Sequence, residues 1–181
     1  MARVPYVSTD DVDPRLENRM IAARGEPVEN IMLALLNAPH TASGVLELAT
    51  ALRERTSLDQ SLRELAVLAV GREMNSDYVI AHHRNSALTA GVPRARLDAL
   101  LTGGELEGFA QVERAVIAYA SEVTRDGLAS NAVWEALTGF LNTRELVELV
   151  TTVAWYNAVA RIVLPLEVEI EPWCKREDST D

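Results

Sequence analysis

The chain has 181 residues, of which 48% are hydrophobic and 24% charged, and this balance is typical of one folded domain with a sizeable core. Its formal net charge of −10 disfavours nucleic acid and anionic lipid as partners, because the overall field repels phosphate groups. The uninterrupted apolar runs are far shorter than the roughly 20 residues that cross a bilayer, and residues 1–15 lack a signal-peptide pattern. We therefore expect a cytoplasmic protein.

Helical periodicity runs through the first half of the chain. Residues 1–26 are expected to form an N-terminal arm with a short helix. Apolar residues at spacings of three and four then predict helices within 27–40 and 41–55. The next helix, within 57–74, is apolar around much of its circumference and should therefore be central, with Ser57 as its expected N-cap.

The second half continues the helical pattern. Asn75 or Ser76 can cap a helix that runs to residue 90. Shorter helices are expected within 93–104, 110–127 and 131–141, and Asn142 or Thr143 can cap a last long one. Residues 164–172, LPLEVEIEP, alternate like a strand without a partner and are expected to run as an extended tail, and the acidic end from Glu171 is expected to be solvated. The predicted fold class is therefore all-α, a single-domain bundle of about eight helices.

Two of the three histidines are adjacent, in the predicted helix that ends at residue 90. At about 100° per residue, His83 shares a stripe with Ser76 and Val79, while His82 shares a neighbouring stripe with Tyr78. One imidazole should face inward and the other should lie at the edge. A small rotation of the helix exchanges the two, so the sequence leaves open which one faces a pocket.

Glu64 lies on the central helix, about as far before the intervening turn as His83 lies after it. In an antiparallel helix hairpin the two side chains come level with each other. Burial would raise the pKa of the Glu64 carboxyl, and a nearby imidazole could exchange the matching proton, which makes a general acid/base pair. The alternative is that Glu64 points to solvent or pairs with Arg63, Arg72 or Arg84.

Other chemistries have weaker support in the sequence. Glu64, His82 and His83 offer metal-binding atoms, with His40 as a further candidate, but consecutive helical histidines point about 100° apart. We therefore expect no metal. No Gly-x-Gly-x-x-Gly pattern follows a strand, so we also expect no cofactor. Cys174 is the only cysteine and cannot form an internal disulfide.

Residues 63–93, RELAVLAVGREMNSDYVIAHHRNSALTAGVP, resemble the signature helix pair of the carboxymuconolactone decarboxylase superfamily, which also contains the alkylhydroperoxidases. The resemblance is carried by Glu64, Ser76, Tyr78, His83, Ala87, Gly91 and Val92. Flanking helices extend it over residues 27–169, which leaves 170–181 as a C-terminal tail. The peroxidase branch has a Cys-x-x-Cys pair where this chain has Ser76 and Val79. The resemblance thus implies a cysteine-free member closer to the decarboxylase branch, without thiol peroxidase chemistry.

The resemblance also implies an alkylhydroperoxidase-like fold and a homo-oligomer, a trimer or a hexamer, in which neighbouring subunits complete the site. It implies an enzyme that acts on a small carboxylate or lactone by acid/base catalysis. The expected catalytic residues are Glu64, His83 and Tyr78, and the expected substrate-binding residues are Ser76, His82 and Arg161. Two alternatives stay open: a fold relative that only binds a small ligand or assembles, and a non-thiol oxidoreductase.

Overall fold

A computed structural model describes residues 1–24 and 27–174, and within these ranges all regular structure is helical. A 3-10 turn at Thr9–Asp11 precedes nine α-helices. These are α1 Pro14–Arg24, α2 Asn30–Leu35, α3 Pro39–Glu54, α4 Gln60–Glu73, α5 Asp77–Thr89, α6 Arg94–Thr102, α7 Gln111–Asp126, α8 Asn131–Thr138 and α9 Thr143–Leu166. The predicted all-α class is confirmed. Residues 25–26 of the expected N-terminal arm and 175–181 of the expected tail lie outside the described residues.

Helix α4 is the centre of the fold. Residues 65–70 are fully buried, and α5, α7 and α9 pack around it, as its apolar circumference predicts. The predicted N-cap was wrong, because the helix begins after Asp59, whose carboxylate accepts hydrogen bonds from the backbone N–H groups of Ser61 and Leu62. Ser57 is instead bound by Glu148 of α9, which accepts from both its backbone N–H and its hydroxyl.

Helices α4 and α5 form the expected hairpin. The chain turns through Asn75, which has a left-handed backbone, and Ser76 then caps α5 by accepting a hydrogen bond from the N–H of Val79. Gly71 permits the close contact between the two helices, since a Cβ atom there would lie 3.0 Å from Cγ1 of Ile80. This packing sets the level at which α5 side chains meet those of α4.

Helix α9 begins at an Asn142–Glu145 capping box and ends at Leu166, so the prediction of an extended segment was wrong for residues 164–166. The chain leaves the helix at Glu167, where a left-handed backbone lets the N–H of Val168 close on the carbonyl of Val163. Among the described helices, α9 alone is long and apolar enough to cross a membrane by length and composition. One face of it supplies buried core residues such as Leu149 and Val153.

The segment 167–174, called here the C-terminal segment, folds back onto the helices. Its Glu171 is only 3% exposed, so the expectation of a solvated acidic end was wrong at this residue. The carbonyl of Glu169 accepts from the side-chain amide of Asn30, and its N–H donates to the hydroxyl of Tyr6. The C-terminal segment is therefore tied both to the N-terminal arm and to α2.

Candidate active site

A cavity of about 380 Å³ opens between α3, α4, α5 and α9. Polar groups dominate its lining and include Arg53, Arg63, Glu64, His82 and His83. A second, much smaller cavity of about 40 Å³ adjoins it and shares both histidines, Glu29 and Tyr156, but its other walls are mostly apolar, with Met32, Val79 and Trp155 among them. Both histidines therefore lie where a polar chamber meets an apolar one.

The structure brings Glu64 and His83 into direct contact. Oε2 of Glu64 lies 2.7 Å from Nδ1 of His83, and the carboxylate is almost completely buried. Burial raises the pKa of the Glu64 carboxyl, but His83 and Arg63 together outweigh burial and lower it. The sequence-based expectation of a raised pKa was therefore wrong. That expectation considered burial and His83 but not the guanidinium of Arg63, which also lowers the pKa of Glu64.

Arg63 is the buried cation of the large cavity. Its Nε and Nη2 atoms donate to Oε1 of Glu64 at 3.3 and 3.0 Å, and Nη1 donates to the carbonyl of Arg53 at 3.0 Å. Glu64 is thus shared between a guanidinium on one oxygen and an imidazole on the other. The sequence analysis treated contact of Glu64 with His83 and contact with Arg63 as alternatives. The structure contains both contacts at once.

The ionised Glu64 fixes the chemistry of His83. A carboxylate only accepts hydrogen bonds, so Nδ1 of His83 carries the hydrogen and, in the neutral imidazole, Nε2 keeps the lone pair. The ring packs edge-on against Tyr156, with centroids 4.7 Å apart, which restricts its rotation. An oriented imidazole with one basic nitrogen is the arrangement that general-base chemistry requires.

His82 belongs to a different network. Its Nε2 lies 2.6 Å from Oε2 of Glu171, and its ring stacks on Tyr78 with centroids 4.4 Å apart. The Tyr78 hydroxyl donates to Oε1 of Glu171 and accepts from the N–H of Ile31. Burial, followed by the negative charge of Glu171, raises the pKa of Tyr78, so this phenol stays protonated. Of these two cavities, Tyr78 lines the small one, on the His82 side.

Comparison with known proteins agrees with this geometry. A model of the carboxymuconolactone decarboxylase family matches residues 39–122, which include Glu64 and His83. No curated protein matches the chain. Residues 39–122 of this chain are thus a carboxymuconolactone decarboxylase family segment, and the fold around them is of the alkylhydroperoxidase-like type. The single cysteine of the chain, Cys174, lies outside the matched segment.

Three solved structures have folds similar to that of this chain. A peroxidase-related protein from Ralstonia eutropha, described as an alkylhydroperoxidase AhpD core, is 16% identical over 96% of this chain and 94% of that chain, with a TM-score of 0.84. The debrominase Bmp8, as a cysteine-to-alanine variant in complex with 2,3,4-tribromopyrrole, has the same identity and coverage and a TM-score of 0.83. A peroxidase-related protein from Silicibacter sp. is 13% identical over 94% and 91%, with a TM-score of 0.78.

Several residues expected at the site lie elsewhere. Ser76 is fully buried, and its hydroxyl caps α5 instead of facing a cavity. Arg161 is exposed and donates to the carbonyl and side chain of Asn157 on its own helix, so it does not line either cavity. His40 is exposed at the start of α3. Burial and the nearby carboxylate of Glu171 raise the pKa of Cys174, which keeps it a thiol.

Among the site residues that the sequence analysis missed are Arg63 and Glu171, which bind Glu64 and His82. Arg63 was considered only as a competing partner of Glu64, although its position beside Glu64 was a usable signal for a buried cation. Glu171 lies 89 residues from His82, and no periodicity or spacing links the two. Its only signal in the sequence was an acidic residue between Ile170 and Pro172, which is also common on solvated tails.

Proposed function

We propose that this protein is an enzyme that acts on a small organic carboxylate or lactone by cysteine-free general acid/base catalysis. The observation that carries the proposal is the buried Glu64–His83 pair, at 2.7 Å, in the lining of a cavity of about 380 Å³. A cavity of this size suits a small molecule. Ser76 and Val79, at the positions of the peroxidase cysteines, support chemistry that needs no thiol.

The proposed reaction uses Nε2 of His83 for proton transfer. As a base, Nε2 removes a proton from a carbon next to a carbonyl group, and the electron pair of the broken C–H bond moves into the carbonyl as an enolate. In a decarboxylation the same enolate forms when the C–C bond to the carboxylate breaks and carbon dioxide leaves. In that reaction His83 acts as an acid: it starts as the imidazolium, and the proton on its Nε2 is transferred to the carbon. Glu64 stabilises the imidazolium by accepting from Nδ1.

Arg63 and Arg53 are the cations proposed to hold the negative charge of the substrate, in place of Arg161. Both line the large cavity together with the Glu64–His83 pair. A guanidinium has five N–H donors, and among the described residues Arg63 uses three of them. The remaining two donors can bind a substrate carboxylate or a developing enolate oxygen, which supports catalysis on an anion.

A second candidate function is small-ligand binding without catalysis. It is favoured by the two positions that in the peroxidase branch carry cysteines, because the Ser76 hydroxyl is committed to capping α5 and the Val79 side chain is apolar and buried. A binding protein would keep the cavity and the cations of Arg53 and Arg63, but it would turn nothing over. The two candidates therefore differ in whether replacement of His83 changes a reaction rate.

We also propose that the chain forms a homo-oligomer, a trimer or a hexamer. Exposed apolar residues on α9, namely Val147, Val150 and Leu164, support this proposal, because contacts between subunits often cover such side chains. Cytoplasmic localisation and the lack of nucleic-acid and membrane partners stay predictions from net charge and the absence of a signal-peptide pattern.

The test measures turnover on a panel of small lactones and of β-keto and unsaturated acids. Turnover is detected as release of carbon dioxide and by proton NMR of the products. Wild type should turn over at least one compound. His83→Ala should lower kcat by about 10²- to 10⁴-fold, the usual contribution of a general acid/base group. His40→Ala, the matched control at an exposed histidine, should leave kcat unchanged. Equal rates in wild type and His83→Ala would contradict the mechanism, and binding without turnover would favour the second candidate.

A further inference from the structure

Glu171 gathers hydrogen bonds from two separate parts of the chain. Its Oε1 accepts from the backbone N–H of Asn30 at 2.6 Å and from the hydroxyl of Tyr78 at 2.8 Å, and its Oε2 lies 2.6 Å from Nε2 of His82. These partners lie at the start of α2 and on α5, 141, 93 and 89 residues away in sequence. One buried carboxylate thus joins the C-terminal segment to two helices beside the cavity.

The ring of His82 is fixed by groups that come largely with the C-terminal segment. Glu171 binds Nε2, and Trp173 packs edge-on against the ring with centroids 5.8 Å apart. From its own helix Tyr78 stacks on the ring, and from before α2 the carboxylate of Glu29 lies 4.0 Å from Nδ1. The C-terminal segment thus supplies two of these four restraints, including the hydrogen bond to Nε2.

Glu171 is in the charge state that this arrangement requires. Burial raises the pKa of its carboxyl, but the hydrogen bonds from His82 and from the backbone N–H of Asn30 outweigh burial and lower it. The same carboxylate satisfies a backbone donor at the start of α2, where Glu29, the N-cap residue, makes no side-chain capping bond. Glu29 itself lines both cavities. The position of α2, and of Glu29 with it, therefore also depends on Glu171.

We propose that Glu171 is a positioning residue of this site: it draws the C-terminal segment against α5 and fixes the orientation of His82 in the wall shared by the two cavities. The proposal rests on the proposed function and extends it, because His82 would then bind the substrate beside the Glu64–His83 pair. Glu171 acts through His82 and does not touch the substrate.

The first test does not need a substrate. The chain has three histidines, so ¹⁵N NMR of the imidazole rings gives few signals, which His82→Gln and His83→Gln assign. Glu171→Gln removes the charge at nearly constant size and should shift both ring nitrogens of His82, while those of His83 and His40 stay in place. Glu169→Gln is the matched control, because this side chain belongs to the same segment and is about half exposed, and it should shift none of them.

Each result of this NMR measurement either supports or overturns the positioning role of Glu171. Unchanged His82 signals in a folded Glu171→Gln variant would overturn it, and so would equal shifts in Glu169→Gln. If Glu171→Gln does not fold, Glu171→Asp replaces it: this variant keeps the charge but shortens the side chain, so a shift of His82 alone supports the proposal and no shift overturns it.

A kinetic measurement separates positioning from a merely structural role. On any compound of the panel that wild type turns over, Glu171→Gln should raise KM about tenfold, because a displaced His82 binds the substrate less tightly, with kcat changed less than twofold. Glu171→Asp should recover part of the loss. A fall in kcat at constant KM would contradict positioning through His82. If wild type turns over no compound, the proposed acid/base function fails, and the NMR result still decides the role of Glu171.

Discussion

Two adjacent histidines each lie against a glutamate, but the two pairs are built in different ways. Glu64 and His83 are 19 residues apart, on the two helices of one hairpin and inside the segment that matches the family. Glu171 and His82 are 89 residues apart, and Glu171 lies outside that segment. The first pair follows from helix geometry over a short stretch, whereas the second forms only when the end of the chain returns to the core.

The surroundings of the two pairs also differ. Glu64 shares its carboxylate with Arg63, a buried cation that faces the large cavity. Glu171 instead accepts from a phenol and from a backbone N–H, and these groups carry no positive charge. A cation beside an acid/base pair suits an anionic substrate, and neutral donors suit the fixing of structure. The difference is consistent with the proposed roles, chemistry for the first pair and positioning for the second.

The largest effect on stability is expected when Glu64, the carboxylate of the first pair, is removed. Glu64→Ala leaves the guanidinium of Arg63 buried without its carboxylate, so the free energy of unfolding should fall by about 3 kcal/mol, as is typical when one partner of a buried ion pair is lost. Urea unfolding followed by circular dichroism measures this loss. The double variant Arg63→Met, Glu64→Leu should recover part of the stability, because no charge is then left unpaired. An equally large or larger loss in the double variant would contradict this account.

The hairpin that sets the first pair can be tested at Gly71. In Gly71→Ala the new Cβ would lie 3.0 Å from Cγ1 of Ile80 and 3.2 Å from Cγ1 of Val79, so these two side chains of α5 must give way by a few tenths of an ångström. We expect a loss of about 2 kcal/mol in the free energy of unfolding from this overpacking. Gly44→Ala is the control, since nothing lies within 4 Å of a Cβ there, and it should raise stability by about 0.5–1 kcal/mol through helix propensity. A Gly71→Ala variant as stable as wild type would show that the contact is not tight.

The pH dependence of stability tests whether the second pair relies on an ionised Glu171. Its folded pKa is lowered, so its contribution to stability is present above the unfolded value near 4.5 and is lost as pH falls through the folded pKa. At pH 7 Glu171→Gln should cost about 1–2 kcal/mol, typical of hydrogen bonds to a charged group. The difference from wild type should shrink as pH falls below 4.5, which urea midpoints from pH 7 to pH 3 would measure. A difference that stays constant over this range would contradict the role of the ionised carboxylate.

Glu148 gives an independent reference for this pH measurement. Partial burial raises the pKa of its carboxyl, but bonds from Arg144, Thr56 and the backbone of residues 57 and 58 outweigh it and bring the pKa to about 2. The stabilising contribution of Glu148 should therefore persist to lower pH, and be lost between about pH 4.5 and pH 2. Glu148 ties the loop before α4 to α9, and Thr56 of that loop lines the large cavity.

The sequence predicted what depends on local periodicity. It predicted the helices, and the hairpin count brought Glu64 level with His83, because both follow from the rise and rotation of a helix. It did not predict the sign of the Glu64 pKa shift, since that depends on the direction in which the adjacent Arg63 side chain turns. The prediction that Arg161 binds the substrate was wrong for a similar reason, because the rotation of α9 about its axis is set by packing on the other helices. Glu171 depends on the path of a segment without periodicity.

The smallest expected effect concerns Ser76, which separates local structure from chemistry within the matched segment. Its hydroxyl caps α5, so Ser76→Ala should lower the free energy of unfolding by about 1 kcal/mol, the usual cost of a lost N-cap. Because Ser76 is buried and lines neither cavity, kcat and KM on a panel substrate should stay within twofold of wild type. A large fall in kcat with little change in stability would contradict this prediction. It would show that Ser76 takes part in the reaction together with the proposed Glu64–His83 pair. Retained turnover would leave Ser76 with a structural role at the position where the peroxidase branch carries a cysteine.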